Sequence, residues 1–158
     1  MIRKKILLLG DFSVGKTSLI RRYVDGSFND SYLTTIGVKI SKKALTLPKE
    51  SYELIVWDVE GTTPSKSIPL SYYKGASGAI FVTDVNRSET LDSLEKHIQT
   101  FLAVNPKGKY VIAYNKSDLL TEAQEEAFEV SDIAFLTSAK EDKNVETLFL
   151  TLLEEMLK

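Results

Sequence analysis

Residues 10–17 read Gly-Asp-Phe-Ser-Val-Gly-Lys-Thr, which matches the pattern G-x-x-x-x-G-K-[ST]. The apolar residues 6–9 before it predict a short buried strand, and residues 18–23 after it can continue as a helix. Glycines in such a loop let successive backbone N–H groups point inward around an anion, beside the positive end of the helix dipole. The motif therefore predicts a strand, a phosphate-binding loop (the P-loop) and a helix in direct succession.

Two side chains at the end of this loop carry the chemistry expected of it. Lys16 would supply a mobile point charge for the β- and γ-phosphates of a nucleotide, and the Thr17 hydroxyl would hold Mg²⁺. An ordinary strand–turn–helix corner needs neither residue after its last glycine. We expect the rest of the loop to line the phosphates as well: Asp11, Phe12, Ser13, Val14, Gly15 and Ser18.

Length and composition bound the class of protein. A chain of 158 residues with 43% hydrophobic and 27% charged residues predicts one soluble globular domain, residues 1–158. The net charge of −2 does not show the excess of positive charge that is typical of a nucleic-acid-binding domain. No apolar stretch of the sequence reaches the length of a membrane span. The absence of cysteine excludes a disulfide framework, a thiolate zinc site and a cysteine nucleophile, and it fits a cytoplasmic location.

Strand-like and helix-like segments alternate along the chain, which predicts an α/β fold. Six strands are predicted at residues 2–9, 38–47, 53–57, 79–83, 110–114 and 133–136. A turn at residues 48–50 makes the second and third strands an antiparallel hairpin, whereas helices between the others make those parallel. We therefore predict a doubly wound, six-stranded, mostly parallel sheet with one antiparallel edge strand and helices on both faces.

Two amphipathic helices are predicted in the second half of the chain. Ser88 begins one, with apolar residues repeating at helical spacing: Leu91, Leu94, Ile98, Phe101 and Leu102. Asn144 can cap the other, and its expected core positions are Val145, Leu148, Phe149, Leu152, Leu153 and Met156. The remaining candidates for chemistry are interpreted as solvated or half-buried side chains without a catalytic role: Arg21, Arg22, Arg87 and His97.

A carboxylate is expected opposite Thr17. The apolar run at residues 55–57 ends in Asp58, in the position of the acid that completes a Mg²⁺ site beside a P-loop. Gly61 follows in the same segment, and a glycine there lets its backbone N–H approach a γ-phosphate closely. Alone, Asp58 could equally cap a turn at the end of a strand; the P-loop favours the metal site.

The base of the bound nucleotide is predicted from residues 115–118, which read Asn-Lys-Ser-Asp directly after a predicted strand. The Asp118 carboxylate can accept paired hydrogen bonds from the ring N–H and exocyclic amine of guanine, and adenine cannot supply that pair. We expect Asn115, Lys116 and Asp118 to bind the nucleotide. A second loop, Ser138, Ala139 and Lys140, follows the last predicted strand and is similar to one in which a backbone N–H reaches the guanine oxygen.

Together these motifs resemble those of the small GTPases of the Ras superfamily, most closely the Rab branch, over nearly the whole chain. The resemblance implies a switch that binds GTP and GDP with Mg²⁺. It places Thr35 on the switch I threonine that senses Mg²⁺ and the γ-phosphate, and Phe28 on the aromatic residue that stacks against guanine. Tyr32 falls on the switch I tyrosine near the γ-phosphate, and residues 71–76 resemble the Rab segment after switch II. The implied metal ligands are Thr17, Thr35 and Asp58.

The resemblance implies that the catalytic residues are Lys16, Thr35, Gly61 and Thr62. At Thr62 the sequence departs from that of the family. Thr62 stands where the family has the glutamine that orients the attacking water, and Pro64 stiffens the loop that follows. Phe12 replaces a small P-loop residue, and in this family a bulky side chain there crowds the catalytic glutamine and an incoming arginine finger. We therefore predict slow intrinsic GTP hydrolysis.

Partners are implied by the resemblance: effectors, exchange factors and GTPase-activating proteins that read switch I and switch II. The sequence ends directly after the last predicted helix and carries no cysteine for prenylation, so we expect no lipid anchor. Such a tail-less chain resembles a bacterial or archaeal relative, or a truncated one. A monomer is expected, as is usual for small GTPases.

Three functions are compatible with a P-loop in this sequence. The leading one is a GTP-binding molecular switch that hydrolyses GTP slowly. The second is a GTP-locked, catalytically impaired interaction module, which Thr62 and Phe12 favour. The third is a P-loop kinase or ATPase, against which the guanine-reading residues 115–118 argue.

Overall fold

A six-stranded sheet forms the centre of the computed structural model, which describes residues 1–25, 37–63 and 67–158. The strand order is β2-β3-β1-β4-β5-β6. The strands are β1 (Ile2–Gly10), β2 (Val38–Thr46), β3 (Ser51–Val59), β4 (Gly78–Asp84), β5 (Lys109–Asn115) and β6 (Ala134–Leu136). The helices are α1 (Lys16–Asp25), α2 (Ser88–Asp92), α3 (Leu94–Val104), α4 (Glu122–Glu125) and α5 (Val145–Met156).

The predicted fold class is confirmed by the pairing of these strands. β1 pairs in parallel with both β3 and β4, β4 pairs in parallel with β5, and β5 pairs in parallel with β6. Only β2 runs antiparallel among the named strands of the described residues, at the edge beside β3, and the backbone N–H of Leu47 closes the hairpin turn on the Glu50 carbonyl at 3.0 Å. Every residue of β4 is buried, as a strand covered on both faces requires.

Helices cover the sheet on both faces, and alternation along β1 divides its side chains between two cores. Ile6 and Leu8 point into the core under α1 and α5, where the rings of Tyr23 and Phe149 stack at 3.9 Å. Leu7 and Leu9 point to the opposite core, which α3 covers with two fully or nearly buried residues, Ile98 and Phe101.

The two predicted helices differ in detail from the observed ones. The helix that begins at Ser88 is divided at Ser93, whose hydroxyl donates to the Thr90 carbonyl at 3.2 Å and to Asp11 at 2.6 Å. Side-chain hydrogen bonds of this kind compete with the helical ladder. Asn144 precedes α5 as predicted, but it does not cap the helix with its side chain, because at φ +57° its amide donates to the Leu136 carbonyl instead, at 2.9 Å.

Parallel pairing brings the carboxyl ends of β1, β3, β4, β5 and β6 to one edge of the sheet. The P-loop, Asp58 and residues 115–118 all lie at these ends, at the place where open α/β sheets bind ligands. Within the described ranges, no helix is long and apolar enough to cross a membrane.

Candidate functional site

The P-loop backbone curls tightly between β1 and α1. Gly15 has φ +100°, and a Cβ at this position would clash with the side-chain amide of Asn115. Ser13 adopts the left-handed region at φ +62°, which is uncommon for a residue other than glycine. The loop therefore holds its N–H groups in a conformation that an ordinary turn does not need, and α1 begins at Lys16 directly after it.

Lys16 is buried inside the curl of the loop, with 6% of its surface exposed. Its ammonium donates to the carbonyls of Gly10 and Asp11 at 3.3 and 3.2 Å. Burial lowers the pKa of Lys16 to about 8; the carboxylates of Asp58 and Asp11 act in the opposite direction, and Arg87 adds to the lowering. A buried cation whose hydrogen bonds go to backbone carbonyls is suited to receive a phosphate oxygen.

Thr17 and Asp58 meet as the sequence predicts. The Thr17 hydroxyl donates to Oδ2 of Asp58 at 2.6 Å, and Asp58 is fully buried. A hydroxyl and a carboxylate are hard oxygen ligands, and Mg²⁺ in nucleotide sites needs only one or two carboxylates besides the phosphates. Although the described residues hold no cluster of three or more His, Cys, Asp or Glu, this pair fits Mg²⁺ bound together with a nucleotide.

The end of β5 is tied directly to the P-loop. The Asn115 amide donates to the Val14 carbonyl at 3.0 Å, and the Lys116 ammonium donates to the Ser13 carbonyl at 2.9 Å. Lys116 also forms an ion pair with Asp84 at the end of β4, at 3.0 Å, with both side chains nearly buried. These contacts set the distance between the phosphate loop and the predicted base-reading residues.

The Asp118 carboxylate is fixed by the loop after β6. The Ser138 hydroxyl donates to Oδ1 of Asp118 at 2.7 Å, and the backbone N–H of Ser117 donates to the Thr137 carbonyl at 3.0 Å. Arg22 of α1 donates to the carbonyls of Ala139 and Lys140 at 2.7 and 2.9 Å. The two loops predicted to read guanine therefore form one hydrogen-bonded unit.

Comparison with known proteins agrees with this geometry. The sequence model of the Ras family matches residues 5–158. Ras-related protein SEC4 of Saccharomyces cerevisiae is 36% identical over 155 residues, which cover 94% of this chain and 72% of that protein. GTP-binding protein ypt1 of Schizosaccharomyces pombe is 36% identical over 157 residues, which cover 94% and 77%.

The chain belongs to the Ras family. The similarity to SEC4 and ypt1 makes it a Rab-like small GTPase within the Ras superfamily, as the sequence motifs indicate. Members of this family bind GTP and GDP, generally with Mg²⁺, and interact with effectors, exchange factors and GTPase-activating proteins.

The start of switch II of this Ras-family chain lies directly on the P-loop. The backbone N–H of Thr62 donates to the Gly10 carbonyl at 3.2 Å, and that of Phe12 donates to the Thr62 carbonyl at 3.0 Å. Gly61 is needed here, because a Cβ at this position would lie 2.5 Å from the Cα of Phe12. Phe12 itself remains 41% exposed.

A cluster of polar side chains surrounds Asp11. Oδ1 of Asp11 accepts from the Thr62 hydroxyl at 3.2 Å and lies 2.8 Å from Nε2 of His97, while Oδ2 accepts from the Ser93 hydroxyl at 2.6 Å. Sequence reasoning placed Asp11 among the phosphate-lining residues and His97 outside the site. The structure turns the Asp11 carboxylate toward α3, and nothing in the sequence pattern signals that His97 would meet it.

Arg87 was also interpreted as a surface charge, and the structure brings it to the P-loop. Its Nη1 donates to the Phe12 carbonyl at 2.7 Å, and its Nε pairs with Glu89 at 3.0 Å.

Of the other predicted site residues, Phe28, Tyr32 and Thr35 lie outside the described residues, as does Pro64.

Proposed function

We propose that this chain, as one domain of residues 1–158, is a guanine-nucleotide switch of the cytoplasm that hydrolyses GTP slowly and acts on protein effectors through switch I and switch II. Bound Mg²⁺ would be held by Thr17 and Asp58, and it would neutralise phosphate charge. GTP would order the segment around Gly61, and loss of the γ-phosphate would release it.

The observation that carries the proposal is the rigid connection between the phosphate loop and the base-reading residues. Asn115 and Lys116 hold the P-loop carbonyls of Val14 and Ser13, and Ser138 holds Asp118. A carboxylate that is already oriented can accept the paired donors of guanine without losing further side-chain freedom. The same residues would reject adenine, which cannot supply that pair of donors.

Slow hydrolysis is proposed from the position of Thr62. Its hydroxyl has one proton, which it donates to the Asp11 carboxylate at 3.2 Å, and while this contact is made the hydroxyl offers no proton to a water. Phosphoryl transfer to water depends on positioning and on electrostatic stabilisation, so a site without a water-orienting amide loses rate. The exposed ring of Phe12 would restrict the approach of a partner's catalytic group.

An apolar surface next to switch II supports the proposed effector role. Ile40 of β2 lies opposite Trp57 of β3 in the antiparallel register and is 49% exposed. The rings of Trp57 and Tyr72 meet edge to face, with centroids 6.0 Å apart. Aromatic side chains at a protein surface are among the residues that protein partners most often use as anchors.

The first test is to identify the nucleotide that co-purifies with the protein when none is added, by chromatography of the acid extract. A guanine nucleotide supports the proposal, and an adenine nucleotide contradicts it. Competition of GTP and ATP against a fluorescent GDP analogue then measures the preference directly. Nucleotide binding without a preference for guanine would contradict the assignment of Asp118.

The second candidate function is a GTP-locked interaction module, which the occupied Thr62 hydroxyl and Phe12 favour. Single-turnover hydrolysis of bound GTP separates the two. A slow but measurable rate supports the switch, whereas a rate equal to that of free GTP in the same buffer supports the locked module. A rate equal to that of an ordinary small GTPase contradicts both.

A further inference from the structure

Three segments of the chain meet on the Asp11 carboxylate. Asp11 belongs to the P-loop, Thr62 to the start of switch II, and Ser93 and His97 to the end of α2 and to α3. Thr62 and His97 share the same oxygen, Oδ1, and lie 3.5 Å from each other. The side chains of Asp11 and His97 are 18% and 14% exposed, so water competes little for these hydrogen bonds.

Charge favours this arrangement. A carboxylate in a largely dry environment needs donors, and hydrogen bonds to an ionised acceptor are about twice as strong as neutral ones. Asp11 receives hydrogen bonds at 3.2, 2.8 and 2.6 Å, from Thr62, His97 and Ser93. Removing any one donor would leave the carboxylate less satisfied and would change the contacts that the other two make.

Backbone contacts hold Thr62 on the P-loop. Thr62 and Asp11 form a parallel bridge, in which the Thr62 N–H and carbonyl both pair with the P-loop. Gly61 permits this close approach, because a Cβ at its position would lie 2.5 Å from the Cα of Phe12. The backbone and the hydroxyl of Thr62 are therefore both held by the P-loop, and movement of Thr62 away from the P-loop would break both sets of contacts.

We propose that Asp11 is a positioning residue that couples switch II to α3: while Thr62 is docked it shares Oδ1 of Asp11 with His97, and when Thr62 leaves, the His97 contact changes. The His97 side chain of α3 thereby reports whether Thr62 is docked. This inference rests on the proposed function, since the nucleotide is what would move switch II, and it gives that switch a second output besides the switch surfaces themselves.

The docking part of the proposal is tested by amide hydrogen exchange, measured by NMR on the full chain bound to GDP. Asp11→Asn keeps the shape of the side chain but removes the charge and one acceptor. We expect the Phe12 and Thr62 amides to exchange about tenfold faster, as loss of one charge-assisted hydrogen bond implies. The control is Asp92→Asn, the same charge change at an exposed position at the end of α2, which should leave both amides unchanged.

A merely structural role of Asp11 would give a different pattern. General destabilisation would speed the exchange of the buried β5 amide of Val111 as much as that of Thr62, and this result would overturn the proposal.

The contact between Thr62 and Asp11 is tested by a second substitution. Thr62→Val removes the hydroxyl at nearly constant shape. The combined Asp11→Asn and Thr62→Val variant should exchange no faster at Phe12 than the faster of the two single variants, because both act on one contact. Additive effects would contradict the contact.

The coupling part has an unambiguous probe, because His97 is the only histidine of the chain. We expect its ring NMR signals to differ between the GDP-bound protein and the protein bound to a non-hydrolysable GTP analogue. Asp11→Asn should abolish that difference, and Asp92→Asn should preserve it. Ring signals that are identical in both nucleotide states of the unmodified protein would overturn the coupling.

Two substitutions of His97 distinguish a hydrogen-bonding role of its side chain from a packing role. His97→Gln retains a side-chain donor, whereas His97→Leu fills a similar volume without one. Exchange at Thr62 should stay close to that of the unmodified protein in the glutamine variant and rise in the leucine variant. Equal behaviour of the two would contradict a hydrogen-bonded role. Binding of fluorescent GDP, measured in parallel, tests the proposed function separately; if GDP does not bind, the same exchange measurements on the nucleotide-free chain still test the Asp11 contacts.

Discussion

The two ends of the candidate nucleotide site are built on different principles. The base end, formed by Asn115, Lys116, Asp118 and Ser138, uses side chains to hold backbone carbonyls and one carboxylate in place. At the opposite end, where hydrolysis would take place (the hydrolysis end), polar side chains instead form hydrogen bonds with one another. There the Thr62 hydroxyl and the Asp11 carboxylate, both near the P-loop, satisfy each other.

This difference separates binding from turnover. A pre-oriented base end gives nucleotide affinity and guanine specificity, neither of which requires motion. Catalysis of phosphoryl transfer requires groups that are free to contact the reacting water and γ-phosphate. A chain can therefore keep the first property at full strength while the second is reduced, which is the combination that we propose for this protein.

Asp118→Asn should have the largest effect, and it acts on the base end. The substitution replaces the carboxylate that would accept two donors from guanine, so we expect GDP affinity to fall by about 100-fold or more. Titration with fluorescent GDP measures this loss, and Asp132→Asn, the same change at an exposed site, is the control. A loss of less than about threefold would show that Asp118 does not read the base.

At the hydrolysis end, we expect Thr62→Gln alone to change single-turnover hydrolysis by less than about threefold, because Phe12 still restricts the space needed by the longer amide. Combined with Phe12→Gly, it should raise the rate by about tenfold to a hundredfold, as a restored water-orienting group implies. Thr63→Gln, one residue further along, is the matched control. Recovery by Thr62→Gln alone would show that Phe12 is no obstruction.

How much the sequence predicts also differs between the two ends. The base end and the Thr17–Asp58 pair follow from motifs whose residues come directly after strands, and parallel pairing necessarily gathers strand ends at one edge. The fold follows for the same reason, since alternating patterns and short turns leave few ways to order the strands.

The Asp11 cluster was not predicted, because it depends on how α3 is placed and on the direction in which one P-loop side chain points. His97 and Ser93 are more than eighty residues from Asp11 in sequence, and no spacing rule relates them. Arg87 was likewise missed, since its contact is with a backbone carbonyl, which carries no sequence signal. Long-range side-chain contacts of this kind are fixed by packing and not by local pattern.

Ser138→Ala tests whether the base end depends on holding Asp118 in place. The variant removes a donor 2.7 Å from the carboxylate, and the acceptor of the Glu141 N–H at 3.0 Å. We expect GDP affinity to fall by about fivefold to tenfold, which corresponds to about 1 to 1.4 kcal/mol, the net contribution of one typical hydrogen bond. Ser41→Ala on the edge strand β2 is the control. Unchanged affinity would mean that Asp118 is oriented without help from the loop after β6.

The smallest expected effect concerns stability at the hydrolysis end. Burial raises the pKa of Asp11, but hydrogen bonds from Ser93, His97 and Thr62, together with the positive charge that His97 can carry, outweigh it and leave the pKa below its usual value. The carboxylate therefore stabilises the fold above the pKa it has in the unfolded chain, about 3.9, and that stabilisation is lost as the pH falls through the lower folded pKa. The Lys16 ammonium also interacts electrostatically with Asp11.

Urea unfolding of the unmodified protein and of Asp11→Asn measures this contribution at several pH values. At pH 7 we expect the variant to be less stable by about 1 kcal/mol, a value reduced by the partial exposure of the site. At pH 3, below the pKa of Asp11 in the unfolded chain, the difference should shrink, because unfolding of the unmodified protein is then coupled to uptake of a proton by Asp11. A difference that stays constant with pH would mean that the variant acts through shape, and the hydrolysis end would then be held by packing as well as by charge.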